Sequence, residues 1–463
     1  MNNAVQFKAA ASAMAAIGAT AHFDWRLAGY DLQCSQAHVE MLYRQNIICQ
    51  ADASQLQSGL EQLSQQVRVG EFVAPPDAED IHTALELQLE ALIGPVAGWL
   101  GTARARNDLA VTALKLWLRD QIDTLLGKLK VLLEAFRQQA LRHAATVMPG
   151  YSHLQVAQPI TFGHLNLAYA ETLLRDGERL LFARAALCEC PLGSAALAGT
   201  SFSIDRTYTA QRLGFERPSA NSIDSIGERG FALDFLGAAS SLALNLSRFA
   251  AEVVFWSTQS VGFIVLPKEL VSGSAAMPHK RNPDAAELIR AKSGRVLGNL
   301  QALQVVVKGL PLTYFRDLQE DKEPLFDSAD SLHLSLDAAI SIVNLMQPQP
   351  EAMARAASIG FITSSDLADW LVINLNIPFR EAHHLVARLV QCAQNNNLEL
   401  GELPLELRVA IDPRLAVKHW PSFSLEQSVK ARRSYGGTAP ERVRQAAEEF
   451  ALRLSKLNEI NNN

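Results

Sequence analysis

The sequence predicts an all-α protein of three helical domains whose central part is a bundle of five long helices. Apolar residues recur at helical spacing through the middle of the chain, and clear strand alternation is absent. Glycine and proline breaks concentrate towards both ends of the chain. We therefore expect a small helical domain over 1–102, a long-helix domain over 103–355 and a second small helical domain over 356–463.

Composition narrows the class of protein. The chain has 463 residues, 48% of them hydrophobic and 19% charged, which is typical of a globular protein with a large core. The formal charge of −6 argues against a nucleic-acid partner. No apolar run reaches the ~18 residues of a membrane helix, so we expect no membrane partner. The five scattered cysteines are typical of free thiols in a reducing compartment, which predicts a cytoplasmic protein.

The longest helix is predicted over 109–142, where Leu114, Leu118 and Ile122 belong to one apolar stripe. This helix would be about 50 Å long. The other long helices are predicted over 162–188, 229–258, 283–308 and 327–347. Any sheet should be a minor hairpin, and the alanine-rich stretch 9–21 should be a helical or frayed segment. Such long helices rarely bury every apolar stripe alone, so the pattern also favours oligomerisation.

Residues 270–290 form the most informative segment. A loop of small residues carries a hydroxyl on Ser274, a cation on Lys280 and an amide on Asn282. A helix that contains Glu287 is predicted to follow. A flexible loop with these groups is suited to closing over an anionic substrate.

Residues 101–108 form a second candidate site, directly before the longest helix. They include Arg104, Arg106 and Asn107. Guanidinium groups, backbone N–H groups and the helix dipole together favour a bound carboxylate. The alternative is that Asn107 or Asp108 caps the helix and the arginines are solvated.

A histidine in a turn is the third candidate. His153 follows Ser152 and a Pro-Gly turn, and a histidine is suited to general acid–base catalysis near neutral pH. A surface histidine without a catalytic role fits the same pattern.

The fourth candidate is the charged segment 310–323. Its residues Tyr314, Gln319 and Lys322 are suited to the polar end of a pocket, and a solvated segment is the alternative. His82 and the pair at 383–384 lack the acidic or cysteine partners of a metal site. We interpret these histidines as structural and expect no metal.

These four segments, taken together and in this order, resemble the fumarase/aspartase superfamily of lyases. The sequence Gly-Ser-x-x-Met-Pro-x-Lys-x-Asn at 273–282 is the signature of that superfamily. Within it, the chain resembles the argininosuccinate lyase/δ-crystallin family. Supporting segments are Met-Pro-Gly-Tyr-Ser-His-Leu-Gln at 148–155, Pro-Leu-Gly-Ser-Ala-Ala-Leu-Ala-Gly-Thr at 191–200 and Gly-Gly-Thr-Ala-Pro-Glu at 436–441.

The resemblance implies a fold, an assembly and a reaction. Members of that family form homotetramers around a 20-helix core, each subunit gives five long helices, and each active site is shared between three subunits. The reaction is a reversible β-elimination that releases fumarate from an N-succinyl amino-acid substrate. The resemblance implies no cofactor.

The resemblance also implies roles for individual residues. Ser274 matches the base that takes the Cβ proton, His153 matches the histidine that protonates the leaving nitrogen, and Glu287 is its charged partner. The donor and acceptor assignment between Ser274 and His153 stays open. Positions that hold the succinyl carboxylates match Asn107, Ser152, Lys280 and Asn282, beside Arg104 and Arg106 of the arginine loop. Positions that hold the amino-acid portion match Tyr314, Gln319 and Lys322, and the pocket edge matches Thr20, Asp24 and Arg229.

Several positions depart from the family pattern, and three of these departures remove polar groups of the site. Ala105 and Ala275 stand where the family has serines, and Phe315 replaces an asparagine. A lost donor to a charged group costs about 1.5–3 kcal/mol. Three hypotheses follow: an argininosuccinate lyase, a relative that acts on a different N-succinyl amine in specialised metabolism, and a non-catalytic protein like the δ-crystallins. Retention of both Ser274 and His153 argues against the third.

Overall fold

Long helices dominate the chain, and the all-α prediction is confirmed. A computed structural model describes residues 13–75 and 78–459. Apolar stripes at helical spacing bury one face of each long helix, as the sequence predicts. The five long helices are α1 (Arg106–Arg142), α2 (Phe162–Ala185), α3 (Gly230–Ser257), α4 (Asp284–Val307) and α5 (Lys322–Leu345).

The helix ends differ from the predictions by a few residues. The largest difference is α5, which begins at Lys322 rather than at residue 327. Its first turn contains Glu323 and Pro324. A helix tolerates proline in its first turn, and the helix dipole favours an acidic side chain there. The charged segment before residue 327 is therefore partly helical.

Shorter helices flank the long ones. The α-helices before α1 are Ala21–Asp24, Ala28–Arg44, Gln50–Val69 and Ile81–Ile93. Between α2 and α3 lie Arg206–Arg212 and Ser222–Gly227. After α5 lie Pro350–Ala357, Ser364–Leu375, Phe379–Asn396, Leu405–Ile411, Leu425–Ala431 and Pro440–Glu459. Short 3₁₀ helices span Trp25–Leu27, Gly94–Gly101, Lys268–Leu270, Arg316–Asp321, Leu400–Glu402 and Pro413–Leu415.

The strands are short and occur in pairs. β1 (Val147–Ser152) and β2 (Gln155–Thr161) form an antiparallel hairpin, which is the kind of minor sheet that the sequence analysis expects. The expected Pro-Gly turn at 149–150 is wrong, because both residues lie within β1 and the turn is at 153–154. Three two-residue pairs accompany it: parallel β3 (Glu189–Cys190) with β4 (Arg217–Pro218), and antiparallel β5 (Ile264–Val265) with β8 (Gln347–Pro348) and β6 (Ser272–Gly273) with β7 (Arg281–Asn282).

The predicted breaks near the N-terminus are present where the structure describes them. Gly70 has a φ of 75° and ends the Gln50–Val69 helix, and Gly94 ends the next helix. Residues 13–18 of the predicted N-terminal helical stretch are helical. Its residues 9–12 lie outside the described part of the chain.

The chain divides into two compact units, each built from three stretches of sequence. The first consists of Met1–Leu126, Glu178–Ser241 and Gly294–His333, and the second of Gly127–Gly177, Leu242–Ser293 and Leu334–Asn463. Within the second unit, the helices after residue 360 have a core of their own, which includes Leu367, Leu371, Leu385 and Leu389. The division into three domains in chain order stays a prediction.

The helix α3 is apolar enough, by length and composition, to span a membrane. However, 56% of its most apolar window is buried inside the protein. The largest of its buried side chains include Phe235, Phe249 and Trp256. These are the properties of a core helix.

Candidate active site

A buried carboxylate fixes the start of α1. The side chain of Asp108 accepts hydrogen bonds from the backbone N–H groups of Ala105 at 3.0 Å and of Gly193 and Ala195 at 2.8 Å each. Burial raises the pKa of Asp108 to about 6, although these three donors oppose that shift. Capping of the helix by Asp108 was one alternative from the sequence. In the structure its carboxylate binds the N–H group of Ala105 at the start of α1, and it also anchors the loop at 191–200. Asn107 donates to the carbonyl of Ala196 at 3.0 Å.

A cavity of about 180 Å³ in the first unit brings together most of the predicted binding residues of that unit. The predicted residues that line it are Thr20, Asp24, Arg106, Asn107, Tyr314, Gln319 and Lys322. Larger clefts of about 500 and 430 Å³ in the same unit contain none of the predicted residues. The chemistry of the lining, and not the size of the cleft, therefore identifies the candidate site.

An ion cluster at the start of α5 supports one side of this cavity. The side chain of Asp321 is fully buried, and it accepts from Arg229 at 2.5 Å and from Lys322 at 2.8 Å. Burial alone would raise the pKa of Asp321, but the two cations outweigh burial and hold that pKa below its usual value. Arg229 also donates to the carbonyl of Glu228 at 2.7 Å. Lys322 is thus held at the cavity by a carboxylate that lies behind it.

The sequence did not predict four further charged or titratable residues that line the same cavity. Glu79, Asp80, His82 and Arg316 also line it. Asp80 accepts from the backbone N–H of Thr83 at 2.7 Å and caps the Ile81–Ile93 helix. A capping signal was present in the sequence, since Asp80 stands directly before the apolar Ile81 that begins this helix. Nothing local pairs Glu79 with Arg316, because they lie 237 residues apart in the chain.

The candidate histidine lies at the tip of the β1–β2 hairpin, in the second unit. Ser152 pairs with Gln155, so that His153 and Leu154 form a two-residue turn. Both turn residues have a φ of 56°, a left-handed conformation that glycine and asparagine normally occupy in such turns. The tip from 152 to 158 is exposed. Strained, exposed residues of this kind often mark functional sites.

Aromatic packing holds the base of the hairpin. Tyr151 packs edge-to-face on Phe255 at 5.5 Å between ring centroids. Gly150 lies so close to the opposite strand that an added Cβ would be 2.8 Å from the carbonyl oxygen of Gln158. The hairpin therefore presents its tip on a fixed base.

The signature loop is a small hairpin as well. The strands β6 and β7 pair Ser272 with Asn282, and the loop between them includes Ser274 and Lys280. The backbone N–H of Met277 donates to Oγ of Ser274 at 3.2 Å, and Asn282 donates to Oγ of Ser272 at 3.2 Å. Residues 275–280 are exposed. Glu287 lies in the first turn of α4 and is also exposed.

The remaining predicted residues lie away from the cavity lining. The guanidinium of Arg104 is buried and donates to Ser35 at 2.9 Å, so the structure does not bring it to the cavity. Arg229 does not line the cavity, and its guanidinium instead binds the buried carboxylate of Asp321. Within the described residues, no hydrogen bond joins Ser274 to His153 or to Glu287.

Comparison with known families then identifies the chain. A family model described as Lyase matches residues 6–298, which is more than half of the chain. The chain belongs to the lyase family of the fumarase/aspartase superfamily. A second model, described as Argininosuccinate lyase C-terminal, matches residues 361–430 of this lyase. Together the two matches support a carbon–nitrogen lyase of that superfamily.

Solved structures similar to this lyase share its fold. An EDDS lyase in complex with formate is 29% identical with a TM-score of 0.83, and the match covers 94% of this chain and 88% of that one. An EDDS lyase variant with bound fumarate is 28% identical with a TM-score of 0.82, over 94% and 88% of the two chains. A 3-carboxy-cis,cis-muconate lactonizing enzyme from Pseudomonas putida is 21% identical with a TM-score of 0.71, over 94% and 95%, and shows the fold alone.

The buried ion cluster of this lyase gives a test of stability. We predict that Arg229→Met lowers the free energy of unfolding by about 3–5 kcal/mol, because it removes one partner of a fully buried carboxylate. The matched control is Arg217→Met, whose exposed ion pair with Glu189 should contribute far less to stability because solvent screens it. Urea unfolding of both variants measures the two effects. Equal losses would contradict the importance of the buried cluster.

Proposed function

We propose that the chain is an argininosuccinate lyase, which cleaves argininosuccinate to arginine and fumarate by a reversible β-elimination. The observation that carries this proposal is the cavity that brings Asn107 together with Tyr314, Gln319 and Lys322. In the family that the sequence resembles, the matching residues hold the two halves of the substrate. The match of the argininosuccinate lyase C-terminal model over residues 361–430 supports the same substrate. Five free cysteines support a cytoplasmic location for the reaction.

The first step removes a proton. Ser274 takes the proton from the carbon next to a succinyl carboxylate, and the electrons move into that carboxylate to give a dianionic intermediate. A serine hydroxyl is a weak base unless its alkoxide is stabilised. The N–H of Met277, which already donates to Oγ of Ser274, provides one such donor, and Lys280 provides a nearby positive charge in sequence. Lys280 and Asn282 are suited to holding the intermediate's charge.

The second step breaks the carbon–nitrogen bond. The intermediate's electrons form the double bond of fumarate as the nitrogen leaves, and His153 donates a proton to that nitrogen. Glu287 serves as the charged partner of the histidine. Proton transfer by a positioned side chain typically accelerates a reaction ~10²–10⁴-fold.

We propose that the active site is completed in a homotetramer and is shared between three subunits. The hairpin tip, the signature loop and Glu287 are all exposed in a single chain, so each lacks the enclosed surroundings that catalysis needs. The helix α4 also exposes single apolar side chains, of which Leu288 is 60% and Val305 is 71% exposed. Long helices with apolar positions left exposed are suited to packing against other subunits.

A lyase with a different N-succinyl amine as substrate is the second candidate. Two observations favour it: the similarity to an EDDS lyase, and the alanines at 105 and 275 where the family has serines. Phe315 adds an apolar group beside Tyr314. These changes affect binding and leave the acid–base residues in place.

Fumarate release separates the two candidates. We expect purified protein to release fumarate from argininosuccinate, which ultraviolet absorbance detects. A folded protein that releases none would contradict the first candidate. Incubation with fumarate and a panel of amines, read by mass spectrometry, would then identify the amine of the second candidate.

Ser274→Ala tests the proposed base. We expect this variant to lose turnover by ~10²–10⁴-fold, because it lacks the proposed general base. Ser293→Ala is the matched control, since Ser293 lies on α4 and its hydroxyl donates to the carbonyl of Arg290. Size-exclusion chromatography checks that both variants keep their assembly. Residual activity of Ser274→Ala above about a tenth of wild type would contradict the assignment.

Mixing two inactive variants tests whether sites are shared. We expect Ser274→Ala and His153→Ala, each inactive alone, to regain part of the activity when they are co-expressed. If the two residues of one site come from different copies, some mixed sites contain both wild-type residues. If both residues come from one copy, every site contains one of the two substitutions and no activity returns.

A further inference from the structure

A buried histidine lies in the wall of the substrate cavity. His82, in the first turn of the Ile81–Ile93 helix, is almost fully buried and lines the cavity. Its Nδ1 is 2.5 Å from Oδ2 of Asp31. Its Nε2 is buried without a hydrogen-bond partner in the part of the chain that the structure describes. A buried polar nitrogen without a partner is uncommon in a folded protein and calls for an explanation.

Three carboxylates converge on this histidine from separate elements. Asp31 comes from the Ala28–Arg44 helix, Asp24 from the Ala21–Asp24 helix, and Asp80 caps the helix of His82 itself. Asp24 and Asp31 are almost completely buried. Buried carboxylates persist as charges only when cations or donors compensate them.

Two of these carboxylates hold groups that face the cavity. Asp24 accepts from the hydroxyl of Thr20 at 2.6 Å and from the backbone N–H of Ile81 at 3.1 Å. Asp80 accepts from the guanidinium of Arg106 at 3.1 Å. Both residues must stay ionised to hold these groups strongly, since a charged acceptor roughly doubles the strength of a hydrogen bond.

The charges of the lining balance without the histidine. Three cations, Arg106, Arg316 and Lys322, line the cavity together with three carboxylates, those of Asp24, Glu79 and Asp80. Asp31, which is outside the lining but is hydrogen-bonded to His82, adds one negative charge that only an imidazolium at position 82 offsets. The charge on His82 therefore decides whether the cavity wall is neutral or negative. A negative wall repels an anionic substrate, and a neutral wall does not.

We propose that His82 is held as an imidazolium in the cavity wall, where it is a positioning residue that keeps Asp24 and Asp80 ionised and offsets the charge of Asp31, so that the wall does not repel a substrate carboxylate. Through these carboxylates it orients Thr20 and Arg106. The inference rests on the proposed lyase function, because it assigns this cavity to an anionic N-succinyl substrate. It replaces the structural interpretation of His82 with a role in binding.

The electrostatics of the site agree with this assignment. Burial alone would lower the pKa of His82, but Asp31, Asp80 and Asp24 outweigh burial and raise that pKa. Burial raises the pKa of Asp24 above its usual value, and Thr20 and His82 oppose that rise. Burial alone would also raise the pKa of Asp80, but His82, together with Thr83 and Arg106, outweighs burial and lowers it. From the other elements that line the cavity, Arg106 of α1, Arg316 of the 3₁₀ helix and Lys322 of α5 face the same space.

Stability against pH tests the charge on His82 without any measurement of activity. Since the folded pKa of His82 lies above its unfolded value of 6.5, its stabilising contribution is fully present below about that pH and is lost as the pH rises through the folded pKa. We expect the unfolding free energy of wild type to exceed that of His82→Gln at pH 7, and the difference to shrink towards pH 9.5. A difference that stays constant over this range would overturn the proposal.

His38→Gln is the matched control. His38 is as deeply buried, and its Nε2 is 2.8 Å from the carbonyl of Thr102. Burial lowers the pKa of His38 to about 3, so it is neutral throughout this range. We expect His38→Gln to lower stability by an amount that does not change between pH 7 and pH 9.5.

Steady-state kinetics test the positioning role. We expect His82→Gln to raise KM about tenfold at pH 7 with a smaller change in kcat, the scale of one lost charge-assisted contact. The ratio of variant to wild-type KM should fall as the pH rises, because wild type then loses the same charge. His38→Gln should leave KM unchanged. If the wild-type protein is active and His82→Gln has the same KM as wild type, the positioning role is overturned.

A second variant, Asp31→Asn, tests the same proposal if His82→Gln does not fold. Asp31→Asn keeps an oxygen acceptor for Nδ1 of His82 but removes a negative charge. The variant's His82 should therefore lose its proton at a lower pH, and KM should begin to rise with pH earlier than it does in wild type. An unchanged pH profile would count against the proposal. If wild type releases no fumarate from any N-succinyl amine, the proposed function fails, and the stability series still decides the charge on His82.

Discussion

The cavity depends on one buried carboxylate. Asp321 lies where the 3₁₀ helix Arg316–Asp321 meets α5, and it is fully excluded from water. A charge in that position is tolerated only because Arg229 and Lys322 both bind it. The cluster therefore fixes the start of α3 against the start of α5. Tyr314 and Gln319, which lie a few residues before Asp321, are positioned by the same constraint.

The architecture could be predicted from the sequence because it is encoded by local periodicity. The stripe that includes Leu114, Leu118 and Ile122 specifies α1, and all three side chains are buried as predicted. The cavity could not be predicted in full, because its acidic side pairs Glu79 with Arg316 through the fold. From the sequence, only the resemblance to a family predicted that Asn107 and Lys322 belong to one site.

Binding and proton-transfer groups of this lyase have different physical surroundings. The predicted binding residues of the cavity are held by buried charges, as Lys322 is by Asp321. The predicted acid–base residues Ser274 and His153 lie on exposed hairpin loops, and His153 has a left-handed backbone. An exposed and strained tip is stable only on a rigid base, which the packing of Tyr151 on Phe255 provides. This difference is the expected one if other subunits enclose the tips.

Under the proposed function, the departure at residue 105 affects substrate binding more than it affects the fold. The backbone N–H of Ala105 donates to Asp108, so the loop before α1 keeps its anchor without a hydroxyl at 105. The missing hydroxyl removes a donor to the substrate and leaves the orientation of Asn107 unchanged, since that residue is held by the carbonyl of Ala196. In a cavity whose other charges balance, a lost donor increases the dependence of carboxylate binding on the remaining cations. Selection for a different amine would therefore act on these binding positions while the chemistry at Ser274 and His153 stays the same.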